Sequence, residues 1–458
     1  MNDDTIPQTV LFPDLFDRPL VATFDQAHAS SDGGAILLKA ADARLGVTAA
    51  LADCLSDRRT SSKIAHTVHE LVAQRVFGIA CGYPDANDAE RLAEDPIQKL
   101  LLDRDPITGT ALASQPTISR FENRVSRTTL YEMGYALAGR VVYRPRRRLH
   151  GRARRIIIDL DPTDDPTHGA QQLSFFNGHY DTWCYLPLLA FVTFNHEREQ
   201  YLCAALLRPG NASATRGALG VLRRLVPILR SAFPKARLRV RLDGGYACPE
   251  VFAYLEEARL EYVVALGKNV VLARAAEPDM IDVRARHATS GQTEHQYSET
   301  SYRAKTWPQP RRVIIKAEVV QHPGRTPRDN PRFVVTNLPQ TPEWLYTQVY
   351  CARGDIENRI KELHHDLAIG RTSCSRFWAN QLRVLLTAAA YVLMQEIRLR
   401  AARTPCARAQ VGILRLRLFK LGARVVRSVR RLVLHLPVSS PYGSTWQRVA
   451  LSLGARAG

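Results

Sequence analysis

The stretch Arg155-Ile156-Ile157-Ile158-Asp159-Leu160-Asp161-Pro162-Thr163 decides how the rest of the chain is read. Three β-branched residues and a leucine make a run too apolar for an edge strand, so it reads as a strand buried on both faces. The strand ends in acids. Asp159 and Asp161 lie two residues apart and so point to the same face; either could be the functional carboxylate. Asp164 and Asp165 fall beyond it, in a turn. Working outward, 185–194 and 201–207 read as two more strands with a turn at 195–199. Ser213 can cap a helix that runs to about 233. The segment 237–243 alternates, with Leu238, Val240 and Leu242 on one face, and ends in Asp243-Gly244-Gly245. Pro249 can open a short helix to 259, and 260–266 is another apolar strand. The resulting order, β-β-β-α-β-α-β, is that of an α/β fold with a mixed sheet.

Before this core the pattern is helical. Residues 1–33 form an irregular lead-in. Residues 34–140 read as all-helical, with helices at 34–55, 62–80, 88–102, 116–124 and 127–140 and apolar residues spaced three and four apart. Within this region Ser114-Gln115-Pro116-Thr117-Ile118-Ser119-Arg120-Phe121-Glu122-Asn123-Arg124 starts with a cap candidate and a helix-compatible proline. Its polar face carries Arg120 and Arg124, side chains able to reach phosphates or base edges, so it is a candidate DNA-recognition helix. Residues 141–155 read as a basic linker. The α/β core spans 156–400, interrupted at 268–340 by a polar segment with alternating runs, read as a β-rich insertion. A helical pattern returns at Thr341-Pro342-Glu343. Residues 401–458 form a basic C-terminal region in which Leu414, Leu416, Leu418, Leu421, Val425, Val426, Val429 and Leu432 interleave with arginines.

The charge is unevenly spread. The 458 residues carry a net charge of +19. Residues 1–139 hold 13 bases against 19 acids, whereas 140–155 hold eight arginines and no acid, and 397–458 hold 13 bases and no acid. A polyanion partner is the natural reading, and nucleic acid is the commonest one. The longest apolar runs are about a dozen residues, short of the roughly 20 a spanning helix needs. The opening MNDDTIPQTV has acids where a secretory leader needs a basic region. The eight cysteines form no CxxC pair, which argues against a zinc ribbon or a disulfide framework. A cytoplasmic, nucleoid-associated protein is expected, with no membrane partner.

Three acids stand out by position. Asp161 and Asp243 end strands, where ligands gather in α/β sheets. The third is Glu357, on a helix with Tyr350, Arg353 and His364. At about 100° per residue these four form one narrow polar stripe bordering the apolar face of Val349, Ile356, Ile360, Leu363 and Leu367. Two strand-end aspartates and a helical glutamate suit hard divalent ions, which take carboxylate oxygens. Two such ions about 4 Å apart can clamp the attacking and leaving oxygens of a phosphodiester.

At this point the chain resembles a DDE transposase of a bacterial insertion sequence. The matching group has the signature Tyr-x2-Arg-x3-Glu-x6-Lys, here Tyr350-Cys351-Ala352-Arg353-Gly354-Asp355-Ile356-Glu357 with Asn358 to Leu363 as the spacer. The stretch from Tyr350 to Leu367, and Asp159-Leu160-Asp161-Pro162-Thr163-Asp164-Asp165-Pro166-Thr167-His168-Gly169, are similar to the IS thirteen-eighty family within that group. The resemblance covers about residues 30–400. It implies an RNase H-like catalytic core with a β-rich insertion between the second Asp and the Glu. It implies Asp161, Asp243 and Glu357 as catalytic, metal-holding acids for two Mg²⁺ or Mn²⁺ ions, with Asp161-Pro162-Thr163 fitting the first motif better than Asp159. Tyr350 and Arg353 take positions that contact phosphates near the cut, and the family's Lys falls at His364, a departure from the pattern. The implied activity is metal-dependent cleavage at terminal inverted repeats of double-stranded DNA and transfer of a 3′-hydroxyl to target DNA, by a homodimer or larger assembly. Three readings compete with it. One is a nuclease that cuts without joining. The second is a decayed or repurposed DNA-binding protein. The third, a zinc hydrolase built on His364, His365 and Asp366, is disfavoured because adjacent helical histidines point about 100° apart.

Overall fold

The computed structural model describes residues 9–12, 14–57, 59–60, 62 and 64–456. Residues 1–8, on which most of the leader reading rests, lie outside the described residues.

The frame is a nine-stranded mixed sheet. In chain order its main strands are β1 (Arg155–Pro162), β2 (Leu188–Phe194), β3 (Tyr201–Leu206), β4 (Arg237–Leu242), β5 (Glu261–Leu266), β6 (Glu294–Tyr302), β7 (Arg311–Val320) and β8 (Arg332–Thr336). Across the sheet they run β6-β7-β8-β5-β4-β1-β2-β3, and the short strand Arg328–Asp329 pairs with β7. The centre is parallel: β4 lies between β1 and β5, parallel to both. The flanks β2, β3 and β6–β8 are antiparallel. All seven residues of β2 are buried, which fits its apolar sequence and its place inside the sheet.

The helices that position the site are α1 (Ile36–Leu45), α2 (Val68–Cys81), α3 (Gln115–Glu122), α4 (Arg127–Arg148), α5 (Ala218–Ala232), α6 (Pro249–Glu257), α7 (Val270–Ser290), α8 (Asp355–Lys361) and α9 (Phe377–Arg400). Helix α9 is buried along almost all of its length. It packs against α1, α2, α4 and β3, so the N-terminal helices and the sheet share one apolar core. It also seals an edge. Strand β3 is the last in the sheet, and Gln381 of α9 donates to Ala205 O (3.1 Å) and accepts from Leu207 N (2.6 Å). Those contacts occupy backbone groups that would otherwise offer a docking edge.

Several sequence expectations change. The second helix starts at Val68 and not at 62, because Thr67 and Glu70 form a reciprocal capping box. The expected helix at 88–102 is two short ones, Asp88–Leu92 and Pro96–Leu101. The segment 141–155 is not a linker. Helix α4 continues through it to Arg148, because Val141, Val142 and Pro145 are buried against the core while Arg146, Arg147 and Arg148 face solvent. The segment 268–340 opens with a 21-residue helix, α7, capped by Asn269. Its strands β6–β8 are not a separate unit either, since β8 pairs with β5 and extends the main sheet. The C-terminal apolar and arginine pattern is not one helix. It is a short helical stretch at 411–419, a hairpin of Ala423–Arg427 and Leu432–His435, and a last helix, Gly443–Leu453.

The motif helix runs from Pro342 to Asp366, and its hydrogen-bond spacing widens at 345–350, tightens at 351–354 and widens again at 362–366. It is fastened to α9 by a buried cluster. Glu362 accepts from Arg398 Nη1 (2.7 Å), Tyr391 Oη (3.1 Å) and Arg359 Nη1 (3.0 Å), and Arg398 also reaches Glu199. Removing one partner of a buried pair leaves an uncompensated charge. Glu362→Ala is therefore expected to destabilise the protein by about 3–5 kcal/mol, read as a lower urea midpoint.

Candidate active site

Two strand ends and one helix converge. The parallel register pairs Arg241 of β4 with Asp159 of β1. Two residues further along the sequence from each stand Asp243, in the turn just past β4, and Asp161, on β1. Asp243 accepts from Gly245 N at 2.9 Å in the tight turn Gly244–Tyr246. Asp161 is mostly buried and pairs with Arg353 Nη1 at 3.0 Å. Glu357 is exposed, four residues further along the motif helix. The charges that act on Asp161 include Arg353, Asp243 and Glu357, so the three acids share one electrostatic neighbourhood. Burial, the largest cause, with Asp243 and Glu357 adding and Arg353 opposing, pushes the Asp161 carboxyl up to about 6.

Asp159 is a different kind of acid. It is fully buried and takes both arms of Arg241, Nε to Oδ1 and Nη2 to Oδ2, each at 2.7 Å. The remaining arm, Nη1, donates to Val349 O on the motif helix at 3.1 Å. Between the two candidates, Asp159 is spent on structure and Asp161 faces the other acids.

The stripe on the motif helix is brought to the same place. Tyr350 lies within charge range of Arg353 and Asp243, and its ring packs on Tyr346 with centroids 5.4 Å apart. His364 is partly buried, with Nε2 2.7 Å from Thr163 Oγ1. Burial lowers its pKa, so at neutral pH the imidazole is uncharged and ties down the loop after Asp161. Arg120 and Arg124 are not brought to the acids. They line a separate groove of about 930 Å³ with Arg59, His66 and Thr129. Asn123, on the same polar face, donates to Ser119 O of its own helix.

Sequence reasoning missed two residues here. Tyr246 is fully buried three residues after Asp243. Arg208 is buried and donates to the carbonyls of Leu186, Ser213, Ala214 and Arg216. The turn Asp243-Gly244-Gly245-Tyr246 was a signal for Tyr246; nothing in the sequence around Arg208 marks it.

Three carboxylates on a partly buried surface are the donor chemistry of a hard divalent cation. Among the described residues, no three His, Cys, Asp or Glu side chains stand close enough together to enclose an ion. The guanidinium of Arg353 lies on Asp161 instead. The donor chemistry suits such an ion, but the spacing of the three carboxylates in this structure does not enclose one.

Residues 12–456 match the family described as transposase DDE domain group 1. The chain belongs to that family. No curated protein matches the sequence. Among solved structures the chain is similar to a piggyBac transposase synaptic complex with hairpin DNA, at 10% identity over 78% of this chain and 70% of that one, with a TM-score of 0.40. Among the described residues, no helix is long and apolar enough to cross a membrane.

The two strand aspartates should respond to neutralisation with opposite signs. Asp159→Asn strands the buried Arg241 and is expected to cost about 3–5 kcal/mol at any pH near neutral. Asp161 has a folded pKa of about 6, above its unfolded value of 3.8. The stability this contributes is present below the unfolded value and lost as pH rises through the folded one. Asn carries no such loss. In EDTA, Asp161→Asn is expected to melt with wild type near pH 4 and about 2–4 °C above it at pH 8, in thermal melts across that range.

Proposed function

We propose that this protein is the transposase of a bacterial insertion sequence, with an RNase H-like catalytic core, similar to the IS thirteen-eighty family. It cuts DNA at the terminal inverted repeats of its element and joins the freed 3′-hydroxyl to target DNA. The observation that carries the reading is the register of β1 against β4. It pairs Arg241 with Asp159, two residues before Asp243 and Asp161, and Asp243 and Glu357 are both within charge range of Asp161.

In this reading Asp161, Asp243 and Glu357 would hold two Mg²⁺ or Mn²⁺ ions. Bound there, the ions would supply a nucleophile from water or a 3′-hydroxyl and neutralise charge on the phosphodiester. The chain's own residues do the rest. Arg353 exchanges its carboxylate partner for a phosphate, a swap suited to a planar bidentate donor. Tyr350 donates to a backbone oxygen beside the cut. Neutral His364, hydrogen-bonded to Thr163, steadies the loop that follows Asp161. It does not supply the charge of the family's lysine.

DNA affinity would come from the exposed arginines that make no ion pair among the described residues, including Arg146, Arg147, Arg430 and Arg431. Arg120 and Arg124, on the groove beside α3, would contact the element end. The all-helical segment before β1 would serve DNA binding and assembly. A homodimer would hold two ends together, and the protein would act in the cytoplasm at the nucleoid.

The test is strand cleavage and joining on a duplex carrying the element's own terminal repeat, with Mg²⁺, with Mn²⁺ and with EDTA. Wild type is expected to cut at the element's end and join it to target. Glu357→Gln should bind the duplex within about threefold of wild type yet lose at least about 10³-fold in cleavage, the scale of losing a group that acts on the reacting phosphate. Equal binding with no cleavage by either protein would favour the repurposed DNA-binding protein.

A further inference from the structure

The start of the chain carries apolar groups that its own body does not cover. Thr9–Leu11 and Leu20–Ala22 pair as a short hairpin, and Ala29–Ser30 is fastened to Ala423 and Arg424 near the other end of the chain. Phe12, Leu15, Phe16, Leu20, Val21 and Phe24 are all exposed, Phe24 by 90%. None of the six belongs to an apolar core. Exposed Asp14, Asp17 and Asp25 interleave with them, against one base, Arg18. Clustered apolar side chains left in water mark a docking surface, and acids among them select a basic partner. The same molecule carries a surface of the complementary kind. A groove of about 520 Å³ lies between α4 and α5, over the edge strand β3. Its wall includes Leu130, Tyr135, Leu206 and Trp378, and Gly134 of α4 and Gly220 of α5 add no side chain to fill it. Arg127, Arg216 and Arg224 stand along it, and no acid does. None of the three makes an ion pair among the described residues. The floor is apolar, which suits a peptide with apolar side chains better than nucleic acid, whose phosphates need cations along the whole track.

We propose that two copies of the chain join by exchanging these arms, residues 11–28 of each lying in the α4–α5 groove of the other. The phenylalanines and leucines fill the apolar floor, and the three aspartates meet Arg127, Arg216 and Arg224. Within one chain the arm is exposed while the groove stands open, so the chain does not fill its own groove. Straightened, residues 11–28 reach up to about 60 Å. A two-stranded hairpin alone is marginal in water, so little is lost when the arm extends. The exchange is reciprocal, closes at two copies and leaves neither an arm nor a groove over. It deepens the homodimer of the proposed function by naming its contact, and it stands or falls without reference to DNA cleavage or metal.

The test uses the full-length protein without DNA or metal, with self-association measured by sedimentation equilibrium. An arm-reversed protein carries Asp14→Arg, Asp17→Arg and Asp25→Arg. A groove-reversed protein carries Arg127→Glu and Arg216→Glu. All five side chains are exposed, and thermal melts check that both proteins fold as wild type does. Wild type is expected to dimerise. Each reversed protein alone sets like charges against each other and should self-associate at least about 100-fold more weakly. Mixed in equal amounts, with one labelled, the two should form mixed dimers, because the basic arm of one then meets the acidic groove of the other, and the acidic arm of the second meets the basic groove of the first. Phe24→Ser alters a side chain already in water, so it leaves the fold intact, and it should weaken dimerisation about tenfold by removing an apolar anchor. A monomeric wild type would overturn the proposal. So would any of the three variants dimerising as tightly as wild type, or reversed proteins that do not associate when mixed. Binding of a labelled oligothymidine is measured alongside. Its loss in the groove-reversed protein with dimerisation unchanged would place nucleic acid in the groove and also overturn the proposal.

Discussion

One guanidinium holds the three acid-bearing segments together. Arg241 lies on β4, two residues before Asp243. Two of its arms grip Asp159 on β1, two residues before Asp161, and its third reaches the carbonyl of Val349 on the helix that carries Glu357. Because all of these groups are buried, none can turn to water for a substitute, and the geometry is over-determined. In the proposed function the acids act on DNA and must remain accessible. Their scaffold therefore bears the cost of a buried ion pair one pleat below them, where solvent cannot loosen it. Charged pairs of this kind seldom add net stability compared with an apolar replacement. Here the pair fixes position.

The uneven charge has two uses. Part of it is internal. Lys420 pairs with Asp32, and Arg427 with Asp105, so basic residues of the C-terminal region grip acids in the segments that precede and connect the N-terminal helices. Arg144 and Arg400 both meet Glu396 on α9. The C-terminal segment also packs without clearance, since a Cβ at Gly34 would fall 1.7 Å from Leu418 O. The acidic start and the basic end of the chain are thus partly complementary surfaces of one body. The arginines left over on the surface are those open to a polyanion.

The centre of the fold was legible because it is written in patterns that do not depend on distant residues. The isoleucine run of β1, the alternation in β4 and the two glycines after Asp243 each give one answer. The spacing from Tyr350 to Glu357 put these residues on one helix, although that helix departs from regular spacing within the stripe itself. What failed depended on tertiary context. Eight arginines and Pro145 concealed the fact that Val141 and Val142 continue a buried helical face. The polar character of 268–340 hid the helix Val270–Ser290, and nothing in its alternating runs showed that they extend the main sheet. Arg239 and Arg241 alternate with the apolar face of β4, yet both are buried against acids of neighbouring strands. Periodicity locates a face. Only the partner strand says whether that face meets water or a carboxylate.

The central claim is that Asp161, Asp243 and Glu357 form one divalent-cation site that Arg353 covers until it is filled. The most direct measurement is anomalous scattering from crystals of the protein with a DNA duplex, grown with Mn²⁺. The account predicts manganese peaks in contact with Asp161, bounded by Asp243 and Glu357, with Arg353 moved from Asp161 to a phosphate. Peaks absent from these three carboxylates, or Arg353 still paired with Asp161 while DNA and manganese are bound, would contradict it.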